Sequence, residues 1–192
     1  MKKIIYISFL LLFTGSAFGQ NKLHNALYSL KNNELEKAKE LIDAAAVDSV
    51  FIDNAATWYY RGHIYKGLFQ RDEIDDLNSG YRIESIEGFK KAIEVDSNGN
   101  YAESSKKGIK YLATTIYNQA ASSFSEETYS SAITAYEFHK EVMNYAYPET
   151  DFTDKDIMFK LGLASIYNRM AERDSTNSAM HIANAEEQYI SV

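Results

Sequence analysis

Two short stretches limit what this chain can fold into more than any other part of it. Trp58-Tyr59-Tyr60-Arg61-Gly62-His63-Ile64-Tyr65 is answered downstream by Ser85-x3-Phe89-x2-Ala92-Ile93-Glu94-Val95-Asp96-Ser97. On a helix, Trp58 and Tyr65 are seven positions apart and share a face, with Gly62 among them. A residue without a side chain admits a neighbouring helix where a Cβ would clash. In the second stretch Phe89 and Ala92, three apart, form the large and small halves of a complementary ridge. The two stretches predict a pair of closely packed helices, with Trp58 and Tyr65 wedged against the second helix.

The rest of the chain follows the same period. Apolar residues recur at spacings of three and four after residue 20, Pro148 is the single proline, and no stretch sustains a two-residue alternation. Self-similarity divides the sequence into about four units, near 22–49, 55–99, 101–146 and 155–192. The first has the stripe Leu23, Ala26, Leu27 and Leu30, a turn at Lys31-Asn32-Asn33, and Ala38-x3-Ile42-x2-Ala45. The second is about eleven residues longer than a roughly 34-residue unit. The excess is read as a first helix continuing to about Gln70 and a protruding acidic loop from Asp72 to Gly80. Asn98-Gly99 supplies the turn that ends this unit. The third runs from about Tyr101, with Ala120 in the close-contact position and Ala132-x3-Tyr136 as the ridge. His139 stands where a small residue is expected, which predicts a looser contact. After a linker at 148–154, Thr153 or Asp154 is the expected N-cap of the next helix. The fourth unit has Leu161-Gly162 and Ala185-x3-Tyr189, and stops in mid-pattern at Val192. That end is expected either to continue in a longer protein with a C-terminal domain or to be covered by a partner.

These residues resemble the tetratricopeptide (TPR) repeat: W-x2-[L]-G-x2-Y on a first helix, A-x3-F-x2-A-x4-P on a second. Arg61, Ser85 and Ser97 depart from that pattern. The resemblance covers nearly all of the chain after residue 19, and is most specific in the second unit. It implies an all-α fold, a right-handed superhelical solenoid of antiparallel helix pairs. Trp58, Gly62, Tyr65, Phe89, Ala92, Ala120, Ala132, Tyr136 and Gly162 would be its packing residues. It also implies a concave groove lined by the first helices, formed by Tyr59, His63, Lys66, Tyr117, Phe159 and Tyr167, with Ala121, Leu163 and Ile166 beside them. An aromatic groove holding a His and a Lys suits an extended peptide or a partner helix. The chain further resembles exported TPR proteins of Bacteroidetes-type bacteria through its F-G-Q stretch at residues 18–20.

Lys2 and Lys3, the apolar run from Ile4 to Phe13 and the small residues of Ala17-Phe18-Gly19 form a secretory signal peptide over 1–19, cut before Gln20. Export to a periplasm or extracellular space is expected, with no membrane span after cleavage. The absence of cysteine excludes disulfides and a lipidated thiol. Loss of Lys2 and Lys3 takes the formal charge from −7 to −9. Such acidity argues against nucleic acid, whose phosphates require clustered Lys and Arg.

No phosphate-binding glycine loop, G-x-S-x-G elbow or H-E-x2-H occurs, and the four histidines stand apart. Asp72, Asp75, Asp76 and Asn78 offer hard oxygens but lack the order and distal Glu of an EF-hand, so they read as a solvated turn. The expectation is a protein-binding scaffold of the cell envelope, not an enzyme, without cofactor or metal. A glycan- or nutrient-binding accessory role is the alternative, since sugars also stack on aromatics.

Overall fold

A computed structural model describes residues 22–124 and 128–191. Residues 1–19, read as a signal peptide, lie outside the described part. Among the described residues there are eight helices: α1 (22–31), α2 (Leu35–Ala46), α3 (Ala55–Asp72), α4 (Gly80–Val95), α5 (Ala102–Ser122), α6 (Tyr129–Ala146), α7 (Thr153–Arg173) and α8 (Ser178–Ile190). No strand occurs among the described residues, so the chain is all-α. None of the described helices is long and apolar enough to cross a membrane. The chain divides into two compact units, one up to Ile109 and one from Lys110 on.

Short polar side chains set the corners of the first unit. Asn33 turns the chain out of α1 with φ 60°, a left-handed conformation that Asn tolerates better than most residues. Asn54 caps α3 by accepting from the Ala56 amide at 2.9 Å, and Ser79 caps α4 through the Arg82 amide at 3.0 Å. The Asp96 carboxylate accepts from the amides of Asn100, Tyr101 and Ala102 and so fixes the entry to α5. Gly99, at φ +71°, makes the intervening turn.

The α3–α4 pair is antiparallel and the tightest contact of this unit. A Cβ on Gly88 would lie 2.7 Å from the Gly62 amide nitrogen, so the two backbones touch. Ser85, where the pattern has Ala, donates its hydroxyl to the Gly62 carbonyl at 2.7 Å. The Phe89 ring is fully buried. It is gripped from both sides, since a Cβ on Gly62 would meet it at 2.7 Å and one on Gly108 at 2.6 Å. Ala92 is fully buried on the same helix.

Tyr65 is buried and edge-on to Tyr81 of α4, while its hydroxyl donates to Asp43 of α2 at 2.7 Å. The Trp58 indole N–H donates to the Ile52 carbonyl at 2.6 Å and the ring is partly buried, so it fastens the approach to α3. Arg61 ties three helices together on the rim. Its guanidinium donates to Asp43 of α2 and Glu84 of α4 at 2.9 and 2.8 Å and covers the Tyr65 ring.

α3 reaches Asp72, and residues 73–79 form turns, largely exposed, that are tied to α4. The tie is Arg82, a buried side chain whose guanidinium donates to the carbonyls of Asp76 and Leu77 at 2.9 and 2.6 Å. Glu73 accepts from the Ser79 hydroxyl and the Tyr81 amide, and Asp72 pairs with Arg71. These carboxylates serve as caps and partners, and among the described residues no group of three or more His, Asp or Glu is placed to hold a metal.

In the second unit, the later part of α5 packs antiparallel to α6, which meets α7, which pairs with α8. Ala120 and Ala132 are fully buried. The Tyr136 ring stacks on Phe159 at 4.0 Å and 14°, and its hydroxyl donates to Asp156 at 2.7 Å. Three expectations are corrected here. His139 is not loosely packed. It is 1% exposed, its Nδ1 is 2.7 Å from the Ala113 carbonyl, and Tyr117 and Phe152 close over the ring. The N-cap position of α7 is Phe152, whose side chain has no group to cap with, and not Thr153 or Asp154; Asp151 just before it accepts from both the amide and the hydroxyl of Thr153. Gly162 is no close-contact glycine. A Cβ there would meet Phe124 at 3.5 Å, an ordinary van der Waals distance. Gly162→Ala should therefore raise stability by about 1 kcal/mol through helix propensity alone, visible as a higher urea midpoint.

Candidate functional site

The residues expected on a binding face fall into two groups. In the first unit, α3 carries Tyr59, His63 and Lys66, one turn apart on one side of the helix. Tyr101, placed by the Asp96 caps at the start of α5, brings its ring to 5.0 Å from that of Tyr59. Tyr60 joins them edge-on at 5.1 Å from Tyr59. His63 lies 4.6 Å from Tyr59 and stands perpendicular to Phe89 at 5.1 Å. All five of Tyr59, Tyr60, His63, Lys66 and Tyr101 are half-buried, so each has one side packed and one side open. Tyr101 gives this cluster its second flat face, and sequence reading passed it over. Its only signal was its place directly after the Asn98-Gly99 turn.

The electrostatics follow from that partial burial. Desolvation pushes His63 down to about 4, and the neighbouring Lys66 ammonium adds to the effect. Burial also lowers Lys66 below the ordinary lysine value. At neutral pH the cluster thus offers flat aromatic surfaces, one neutral imidazole able to donate and to accept, and one cation. That set stacks and hydrogen-bonds.

In the second unit, Tyr117 is half-buried beneath the Lys155 ammonium, which sits 4.8 Å from its ring centre. Tyr167 is likewise half-buried and meets Tyr129 edge-on at 5.4 Å. Phe159 is a correction. It is 6% exposed and lies among Tyr136 and Phe124, committed to helix packing and not to an open face. Leu163 and Ile166 are buried in the same way, whereas Ala121 is exposed.

The histidines predict how stability depends on pH. Burial holds both His63 and His139 below the ordinary histidine value in the folded chain. A folded-state value below the unfolded one means that the unfolded chain takes up protons first. The stabilisation is complete above about pH 6.5 and is lost as pH falls toward 4. Urea midpoints measured across this range should decline, and His63→Gln with His139→Gln should flatten the slope.

Compared with protein-family profiles, with curated proteins and with solved structures, the chain matches none of them.

Proposed function

We propose that this chain is a non-catalytic interaction scaffold of the TPR type, which holds an extended peptide or a partner helix against the Tyr59–His63–Tyr101 face. The observation that carries the reading is the coupling of that face to the α3–α4 clasp. His63 and Tyr59 both lean on Phe89, which is locked between Gly62 and Gly108. The open rings are therefore preorganised, so a ligand need not order them on binding. In this reading about four antiparallel helix pairs stack into a right-handed solenoid, and the first helices line its concave side. The acidic sequence and the N-terminal segment at 1–19 support an exported, periplasmic or extracellular protein cut before Gln20. N-terminal sequencing of the mature chain tests that part.

The binding reading is tested by screening the chain against peptide and oligosaccharide arrays, then measuring the best ligand with Tyr59→Ala and Lys66→Ala. Peptide ligands are expected, each substitution weakening them tenfold or more, which is about 1.4 kcal/mol, while helical content stays unchanged. Binding confined to oligosaccharides would instead favour a glycan-binding accessory role, for which two tyrosine rings 5.0 Å apart are also suited. A collapse of melting in Tyr59→Ala would make that residue part of the core and defeat the assignment.

A further inference from the structure

Asn98-Gly99 is the one place in the chain where asparagine precedes glycine. That order matters chemically, because a residue without a side chain leaves its amide nitrogen open to the carboxamide just before it. Both residues are exposed. No hydrogen bond to the Asn98 carboxamide is found among the described residues, and a Cβ built on Gly99 would have no neighbour within 4 Å. Other asparagines differ on both counts. Asn54 and Asn177 spend their side chains on helix corners, and the residues after them, Ala55 and Ser178, carry a Cβ.

One residue holds the turn shut. The Gly99 amide donates to the Asp96 carbonyl at 3.3 Å, beyond the usual range for such a bond, and the Asp96 carboxylate draws the same amide. This bond must break before the nitrogen can turn toward the side chain and lose its proton. A long bond in an exposed turn opens at little cost. Asp96 is therefore a brake on the nitrogen and not a bar to it.

We propose that Asn98 is a self-modification site, where the side chain deamidates without an enzyme. The Gly99 nitrogen gives its proton to solvent and attacks Cγ of Asn98, closing a five-membered imide. The bond from Cγ to the carboxamide nitrogen breaks, and that nitrogen takes up a proton and leaves as ammonia. Water then opens the ring at either carbonyl, and the product is aspartate or isoaspartate. Nothing is oxidised or reduced, and water is the sole co-reactant. Proximity drives the step, since nucleophile and carbonyl belong to neighbouring residues.

Either product puts a further carboxylate into the open cleft of about 530 Å³ that Asn98 lines with Asp53, Asp96 and Tyr101. Isoaspartate does more. It routes the main chain through Cβ and lengthens it by one carbon, just where the Asn100, Tyr101 and Ala102 amides converge on Asp96. The three bonds no longer fit together, and Tyr101 loses its place beside Tyr59. The reaction runs one way and so ages the aromatic face. It does not depend on what that face binds.

Peptide mass spectrometry of the full chain, kept folded in mildly alkaline buffer, tests this. The expected result is progressive exchange of NH2 for OH at Asn98, ahead of every other asparagine, with isoaspartate among the products. Asn98→Gln should remove the acidic species that builds up on ion exchange, because its imide would need a six-membered ring. Asp96→Ala should speed the modification several-fold with circular dichroism unchanged, and an unaltered rate there overturns its part as brake. In the isolated isoaspartate form, amide exchange at 100–102 should be several-fold faster than in the parent chain. Unchanged exchange there overturns the effect on Tyr101. An Asn98 that stays intact in the folded chain but reacts in urea overturns the proposal, and so does one that reacts no faster than the other asparagines.

Discussion

Phe89→Ala should destabilise the first unit by about 3–5 kcal/mol, the range for removing a fully buried phenylalanine and leaving a cavity. Set against a typical total of about 5–15 kcal/mol, that is a large share. The space cannot close easily, because Gly62 and Gly108 have no side chains to move into it. Gly62→Ala should also destabilise, by about 1–3 kcal/mol through overpacking. Its new methyl would lie 2.7 Å from a ring that Gly108 pins from behind. The two losses should not add. With Phe89 gone, the methyl at position 62 enters vacant space and the clash disappears. A double-mutant cycle by urea unfolding should give a coupling of at least about 1 kcal/mol in the compensating direction. Additive losses would mean that the ring is free to move, contrary to the clasp.

Arg82→Ala should cost about 3 kcal/mol, because it removes two charge-assisted hydrogen bonds and leaves the Asp76 and Leu77 carbonyls without their donor. The effect should be local as well as global. Amide exchange at 74–79 should speed up more than in the body of α3, since the guanidinium is what ties this segment to α4. Arg82→Met separates volume from hydrogen bonding. It refills the space against Phe69, over which the guanidinium lies at 5.1 Å, and should recover part of the stability while exchange at 74–79 stays fast. If Arg82→Met restores slow exchange, packing and not hydrogen bonding holds the segment.

Helical content, the main corners and the central helix pair were legible in the sequence because they depend on local chemistry. Gly62 and Phe89 meet across neighbouring helices, and the spacing of Phe89 and Ala92 places both on the buried face of α4. Asn98-Gly99 marks its turn for the same reason. What escaped were side chains whose role is decided by residues distant in sequence. Arg82 looks like a solvated cation on an exposed helix until residues 76–77 curl over it. His139 looks too large for its slot until the Ala113 carbonyl takes its Nδ1. Gly162 repeats the L-G pair of the pattern, yet its neighbour Phe124 stands too far off to need a glycine. The candidate face was only partly legible. Tyr59, His63 and Lys66 gather as spaced on α3, Phe159 turns inward because Tyr136 stacks on it, and Tyr101 is recruited by three hydrogen bonds to one carboxylate.

The clasp around Phe89 also limits how this sequence can drift over generations. Positions 62, 89 and 108 share one fixed volume, so a lineage that gains bulk at either glycine must first lose it at the phenylalanine. Every single-step route then passes through a weakened intermediate. Relatives should therefore keep all three residues together or replace them together, and the tyrosine and histidine that lean on the ring should change in step with them.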